Sequence, residues 1–451
     1  MLERARRESR PLDLAPHATP ELAQLTPRDR GLAFELISGT LKRQNTLDAL
    51  LAGFAEQPLK RIDPRVLVAL RLSSFQLLYL DRVPAHAAVD EGVELAKRRS
   101  RKAGGFVNAV LRRVAADGRE RLAALTTGDD EHSLALRFSH PDWLVGLWRA
   151  ELGDALAFAV MGADNAPAPR CVRVNVAKAG IGDALASLAE GGATATPVDA
   201  VPGALLVDGA AIESSVAFRE GLVTPQSAGS QLAAIVAGDG LGGGGAEVGE
   251  PVRLADLCAA PGAKTTQLAA AHPRAEVVAV EVDAARADQV RANLDRLGVA
   301  NVDIVVGDVL RLPPELDGAF DAVLLDPPCS GLGTLASRPD LRWRHRPTEI
   351  ARLADRQRRL LVRAAGLVKP GGALTYSVCT LTEAESVDVV RHLLESGGWL
   401  LDDLGSAYPR FAHPRHGGYL LTLPSRDHTS GFFIARLRRQ GRRPAGANRE
   451  P

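Results

Sequence analysis

The apolar run Ala322-Val323-Leu324-Leu325 is halted by Asp326-Pro327-Pro328 and followed by Cys329-Ser330-Gly331. Two consecutive prolines remove two backbone donors and fix φ, so neither a helix nor a strand ladder continues through them. An apolar run without polar alternation marks a strand buried on both faces, as in a parallel sheet covered by helices. The segment therefore predicts an open α/β sheet in which one strand presents a carboxylate and a thiol at its carboxyl end. That is where such sheets hold ligands.

A chain of 451 residues is too long for one ordinary domain, so two or three cores are expected. The four cysteines, Cys171, Cys258, Cys329 and Cys379, contain no C-x-x-C pair. Neither a disulfide scaffold nor a metal site is expected, and the thiols are available as nucleophiles. There is no apolar run of membrane-spanning length and no basic-apolar leader at the amino terminus, so a cytoplasmic protein without membrane contact is expected. The formal net charge of +1 argues against a wholly basic protein and leaves room for local basic patches.

Residues 1–25 carry charge and proline without periodicity and are expected to be flexible. Thr26-Pro27-Arg28-Asp29 reads as a helix start, and Leu47, Leu50, Leu51, Phe54, Leu67, Leu70, Leu77 and Leu78 form helical stripes. Residues 26–118 are thus predicted as an all-α bundle, with a helical connector over 119–168. Between Leu95 and Arg113 stand seven basic residues and no acid: Lys97, Arg98, Arg99, Arg101, Lys102, Arg112 and Arg113. That density suits phosphate contacts, and equally a solvated helix face. From Pro169 the pattern alternates like a strand in Arg170–Asn175, predicting a small α+β module over 169–237. A Gly-rich insertion at 238–250 and a basic tail at 439–451 are expected to be flexible.

Residues 251–438 read as a Rossmann-like α/β domain. Leu254–Leu257 is a strand, Cys258-Ala259-Ala260-Pro261-Gly262-Ala263-Lys264 a tight small-residue turn, and Thr265–Ala271 a helix. No dinucleotide fingerprint is present. Later strands end at Glu281, Asp308 and Asp326, and the strand through Gly371–Thr380 ends at a second thiol, Cys379. Thr382-Glu383-Ala384-Glu385 reads as a capping sequence for the next helix. Strand-end acids in this order resemble the S-adenosylmethionine pocket of a class I methyltransferase, with Glu281 on the ribose, Asp308 near the adenine and the loop at the methionine end. Arg342-Trp343-Arg344 interleaves charge with an aromatic ring, which suits RNA backbone contact and stacking on an unpaired base.

Cys-Ala-Ala-Pro-Gly-Ala-Lys, Asp-Pro-Pro-Cys-Ser-Gly, Ser-Val-Cys-Thr and the terminal Gly431–Leu437 resemble the NOL1/NOP2/Sun family of RNA cytosine-C5 methyltransferases. Residues 26–113 resemble a NusB-like RNA-binding domain, a combination similar to the RsmB (Sun/Fmu) branch. Arg173, Asn175 and Lys178 resemble an R-x-N-x-x-K signature that precedes the catalytic domain, which makes Arg173 a further candidate RNA contact.

The resemblance implies methyl transfer from S-adenosylmethionine to cytosine C5 in 16S ribosomal RNA by a monomeric enzyme without a metal. It makes Cys379 the nucleophile, Cys329 the release residue and Asp326 the group that handles the base. Lys264 is left to hold Asp326, to hold the methionine carboxylate, or to form a structural ion pair. Ala263, Glu281 and Ser227 stand where the family more often has glycine, aspartate and aspartate. An amino-group methyltransferase of the Asp-Pro-Pro type and a non-catalytic RNA-binding assembly factor are the alternatives. The first needs no thiol, and the second needs no cofactor loop.

Overall fold

The computed structural model describes residues 22, 24–239, 241 and 251–441. The expectations for residues 1–21, 242–250 and 442–451 lie outside the described residues. The Gly-rich stretch starts later than expected, because a helix runs on to Asp239. The chain forms two compact units. One comprises the residues up to Pro167 together with Thr334–Arg346, and the other Ala168–Gly333 with Pro347 onward. Among the described residues no helix is long and apolar enough to cross a membrane.

The first unit is helical: α1 (Pro27–Lys42), α2 (Gln44–Ala52), α3 (Pro64–Tyr79), α4 (Ala85–Lys97), α5 (Arg101–Leu125), α6 (Glu131–Phe138), α7 (Asp142–Leu152) and α8 (Asp154–Asn165). Side-chain oxygens of Thr26, Asp63 and Ser100 accept from Asp29, Arg65 and Ala103 N–H groups and so cap α1, α3 and α5. Each such cap is worth about 1 kcal/mol. The expected apolar stripes close one core in which Leu47, Leu50, Leu70, Val107, Val110 and Leu111 are fully buried. The basic run is split by the cap at Ser100 into the end of α4 and the start of α5.

The short turn Leu341–Arg344 also belongs to this unit. Arg342 is fully buried there. Its guanidinium donates to the carbonyls of Lys42 (3.1 Å) and Ser139 (2.9 Å), to Asn165 Oδ1 (3.0 Å) and to Asp164 O (3.4 Å). Trp343 Nε1 donates to Leu41 O at 3.2 Å, and Arg344 pairs with the buried Asp340 at 2.7 Å.

The second unit holds two sheets. The smaller is antiparallel, in the order β2 (Ala193–Pro197), β3 (Ala204–Gly209), β1 (Cys171–Val174), β4 (Val223–Pro225). The alternation expected in β1 is absent: all four residues are buried, because α9 (Ala228–Asp239) and other side chains close over both faces. The larger sheet has a parallel centre with β7 (Val302–Val306) at one edge, then β6 (Glu276–Glu281), β5 (Arg253–Leu257), β8 (Phe320–Leu325) and β9 (Val368–Val378). Beyond β9 the antiparallel strand β12 (Phe432–Arg439) pairs with β10 (Trp399–Leu401) and β11 (Leu420–Thr422). Chain order reverses between β5 and β8, which makes their carboxyl ends the topological switch point. The central strands are apolar because both faces are covered: Leu254, Val277, Ala279, Val323, Leu324 and Leu325 are all buried.

Candidate active site

The switch point is lined by the turn between β5 and α10 (Ala263–Ala271). Cys258 has φ +65° and Gly262 φ +97°, and the latter value favours glycine. A Cβ on Gly262 would also sit 3.1 Å from Val290 Cγ1 and 3.3 Å from Val290 Cα, on α11 (Ala284–Leu297). The turn thus lies against that helix and leaves its own small residues facing the strand ends.

Carboxylates stand at the ends of three parallel strands, the adjacent β6 and β7 and, on the far side of β5, β8. Glu281 is buried and accepts from Ala260 N and Asp283 N, each at 3.2 Å. Arg286 lies 3.5 Å from it. Asp308, after β7, accepts from Leu310 N at 3.0 Å. Asp326, after β8, accepts from Lys264 Nζ at 2.5 Å and from Ser377 Oγ at 3.3 Å. Burial lowers the Lys264 pKa, but the charge of Asp326 and the hydrogen bond to it outweigh that and leave it raised, so the ammonium stays charged. Lys264 also lies 5.1 Å from the Phe432 ring centroid. This donor and acceptor set fits a nucleoside carrying an amino acid: acids for hydroxyl and amino groups, and a small-residue turn for close backbone approach.

Cys329 and Cys379 follow the adjacent parallel strands β8 and β9, and their Sγ atoms lie 3.3 Å apart without a disulfide. The hydrogen bond to Cys379, followed by burial, pushes the Cys329 thiol well above the usual range. Cys258 and Cys171 are pushed up to about 12, chiefly by burial, and remain thiols. Asp256, at the core of β5, is raised to about 7 by burial, with Thr265 Oγ1 donating to it at 2.6 Å.

The two thiol loops are tied together from beneath. Glu385 is fully buried, and one oxygen accepts from Ser330 N (2.8 Å) and Gln357 Nε2 (3.0 Å). The other accepts from Ser330 Oγ (2.5 Å), Thr382 Oγ1 (3.0 Å) and Thr380 Oγ1 (3.3 Å). Tyr376 O–H donates to its carbonyl at 2.7 Å. Gly333 N donates to Cys379 O (3.0 Å) and Gly431 N to Gly333 O (2.7 Å). A Cβ on Gly333 would meet Gly431 O at 2.2 Å, so the close approach requires glycine.

Three stretches of the chain match known families: residues 3–116 the NusB family, 140–212 the RsmF/B-like ferredoxin-like domain, and 248–438 "16S rRNA methyltransferase RsmB/F". Over 426 residues the chain is 35% identical to the probable ribosomal RNA small subunit methyltransferase B of Synechocystis, covering 92% of each chain. It is 33% identical to the ribosomal RNA small subunit methyltransferase B of Pseudomonas syringae, covering 92% and 91%. Among solved structures, PH0851 superposes with a TM-score of 0.78 at 26% identity, covering 93% of each chain. The chain belongs to the RsmB/F methyltransferase family.

For an RsmB/F chain the expected RNA contacts divide sharply. Lys97, Arg98, Arg99, Arg101, Lys102, Arg112 and Arg113 are all exposed, Lys97 at the end of α4, Arg98 and Arg99 in the turn that follows, and the others on α5. Lys97 pairs with Glu94 and Arg99 with Asp63. Arg342 is a correction: it is fully buried and its two terminal nitrogens donate to oxygens inside the helical unit, so it presents nothing to RNA. Trp343 and Arg344 are half-buried, with Trp343 Nε1 donating to Leu41 O and Arg344 paired with Asp340. Arg173 is a second correction, being buried with its guanidinium on Thr266 Oγ1 at 2.8 Å. Its companions are structural too, Asn175 bonding Gly221 O and Leu297 O, and Lys178 bonding Glu220 O and Arg296 O.

Glu385 is the functional residue that sequence reasoning misassigned. A short 3-10 turn, Glu383–Glu385, carries it before α12 (Val387–Glu395), and its carboxylate turns inward to the thiol loops instead of capping that helix. The local pattern is that of a cap. The distant donors Ser330 and Gln357 become visible only in the fold.

Proposed function

We propose that this chain methylates C5 of a cytosine in 16S ribosomal RNA, using S-adenosylmethionine and a transient covalent bond to Cys379. The observation that carries the reading is the pair of thiols 3.3 Å apart at adjacent strand ends, on the same sheet edge as the Lys264–Asp326 pair. Methyl transfer to an exocyclic amine needs no such pair.

Carbon 5 of cytosine is a poor nucleophile until a thiolate adds at C6. Attack by Cys379 forms the Cys379 S–C6 bond and moves electron density to C5 and N3. The hydrogen bond between the two thiols, with burial, raises the Cys329 pKa, so Cys329 stays a thiol beside Cys379. Asp326 serves the N3 side of the ring, oriented by Lys264 and Ser377, and a carboxyl there stabilises the protonated adduct. Bound S-adenosylmethionine supplies the methyl group to C5. The loop Cys258–Lys264, Glu281, Asp308 and Asp326 hold it, with Glu281 on the ribose and Asp308 at the adenine end. A base at the thiol site then takes the C5 proton, the C5–H electron pair re-forms the C5–C6 double bond, the S–C6 bond breaks to return the Cys379 thiolate, and Cys329 assists that release. The cytosine must be unpaired to reach the thiols.

Nucleoside mass spectrometry of 16S ribosomal RNA treated with the protein and S-adenosylmethionine tests this reading. 5-Methylcytidine is expected, and bisulfite sequencing locates it. N4-Methylcytidine, or no modified cytidine, would contradict it.

A further inference from the structure

The helix α13, Pro347–Leu367, buries Ile350, Ala354, Gln357, Leu360, Leu361 and Ala364. Its outer face is more unusual: Arg352, Arg356 and Arg359 are spaced by four and three residues, which places them on one stripe. All three are exposed, and none makes a hydrogen bond or ion pair among the described residues. Arg363 continues the stripe and is engaged by Asp317 (2.6 Å) and Leu312 O (3.0 Å). With Asp308 and Leu310, the three unpaired arginines line a cleft of about 540 Å³, flanked by Asp355.

Like charges three and four apart on a helix repel, so an unpaired stripe disfavours the free helix and rewards an anion laid along it. Guanidinium forks match phosphate oxygens in pairs. From Arg352 to Arg359 the stripe spans about 10 Å at 1.5 Å per residue, enough to meet more than one phosphate of a strand. S-Adenosylmethionine carries no phosphate, so the cofactor does not account for the arginines. The opposite face of the same helix supplies Gln357, which donates to Pro328 O at 3.0 Å and to Glu385. One helix therefore carries the cationic stripe outward and braces the Cys329 loop inward.

We propose that Arg352, Arg356 and Arg359 form a phosphate-contacting surface for the backbone of the substrate RNA, distinct from the basic run of the helical unit. The inference rests on RNA being the substrate. A strand held there runs beside the cleft that ends at Asp308, on a helix rigidly connected to the thiol loop.

The test is fluorescence anisotropy of a labelled 16S ribosomal RNA fragment with the full chain across a potassium chloride series, together with methylation of the same fragment. The triple variant R352E/R356E/R359E is expected to weaken binding by about thirtyfold or more, and the milder R352Q/R356Q/R359Q by about tenfold. The slope of log affinity against log salt should fall by about 2, since each single-strand phosphate contact contributes about 0.7. Calorimetric affinity for S-adenosylmethionine should stay within about twofold of wild type. Should the glutamate variant fail to fold, the glutamine variant decides. Unchanged RNA affinity and salt slope, with the wild type methylating the fragment, would overturn the stripe alone. A parallel loss of cofactor affinity would reassign it to the cofactor cleft. A wild type that leaves the RNA unmethylated would remove the parent reading and the stripe with it.

Discussion

Arg342 in the helical unit and Glu385 in the catalytic unit are both fully buried charges, yet they are satisfied in opposite senses. The cation donates to three backbone carbonyls and one side-chain amide, while Asp164 Oδ1 and Arg342 Nε find no hydrogen-bond partner among the described residues. The anion has both oxygens engaged by backbone N–H, hydroxyl and amide donors. The first cluster is under electrostatic stress: burial lowers Arg342 to about 10 and Lys42 to about 8, and raises Asp164 to about 7. Buried charge with incomplete partners fixes a turn in place at a cost, whereas buried charge with a full neutral shell can serve as a rigid brace for reacting groups.

The strongest way to break this comparison is Glu385→Ala. It removes the acceptor shared by both thiol loops, and kcat for methyl transfer is expected to fall at least about 100-fold, as for lost active-site positioning. S-Adenosylmethionine affinity measured by calorimetry should change less than about threefold. Equal losses in both would make Glu385 a general stability element. Arg342→Met should act the other way. It leaves the buried carbonyls of Lys42 and Ser139 and Asn165 Oδ1 without their donor and should cost about 3 kcal/mol or more in denaturant unfolding of the helical unit. At temperatures where the variant is folded, kcat should be close to wild type. A selective fall in RNA affinity without loss of stability would restore Arg342 as an RNA contact.

Asp256 sharpens the contrast, because it is a buried acid with one hydroxyl donor where Glu385 has five donor bonds. Its folded pKa is raised from 3.8 to about 7 by burial. The folded state therefore holds the proton more tightly than the unfolded chain. The associated stability is fully present below about pH 4 and is lost as pH rises through about 7. The unfolding free energy of wild type should fall across this window relative to Asp256→Asn, by an amount on the order of 4 kcal/mol. Parallel pH profiles would contradict the assignment. The smallest effect is expected at Arg98 and Arg101, exposed on the surface. The double alanine variant should leave the melting temperature unchanged within about 1 °C, and should weaken RNA binding only several-fold, in a salt-dependent way.

Particular residues show what was legible in the sequence. Asp326-Pro327-Pro328 announced a strand end because proline chemistry is local, and the apolar runs of β5, β6 and β8 announced a covered sheet because burial on both faces leaves no alternation. The proximity of Cys329 and Cys379 followed from neighbouring parallel strands once the topology was expected. Arg342-Trp343-Arg344 misled because a basic-aromatic pattern looks the same whether it faces solvent or carbonyl groups some 200–300 residues away in the chain. Arg173 and Glu385 misled for the same reason. Their partners, Thr266 for one and Ser330 and Gln357 for the other, are fixed by tertiary structure. The arginine stripe at 352, 356 and 359 was readable from helical spacing, but its lack of acidic partners emerges only from the folded side chains.

The division of labour between the two thiols is the central claim, and a denaturing gel of protein incubated with labelled 16S ribosomal RNA and S-adenosylmethionine tests it most directly. Cys329→Ala should accumulate a shifted, denaturation-resistant RNA–protein band, because attack proceeds and release fails. Cys379→Ala should give neither the band nor methylated RNA. A band that persists in Cys379→Ala and vanishes in Cys329→Ala would contradict the account by reversing the two roles.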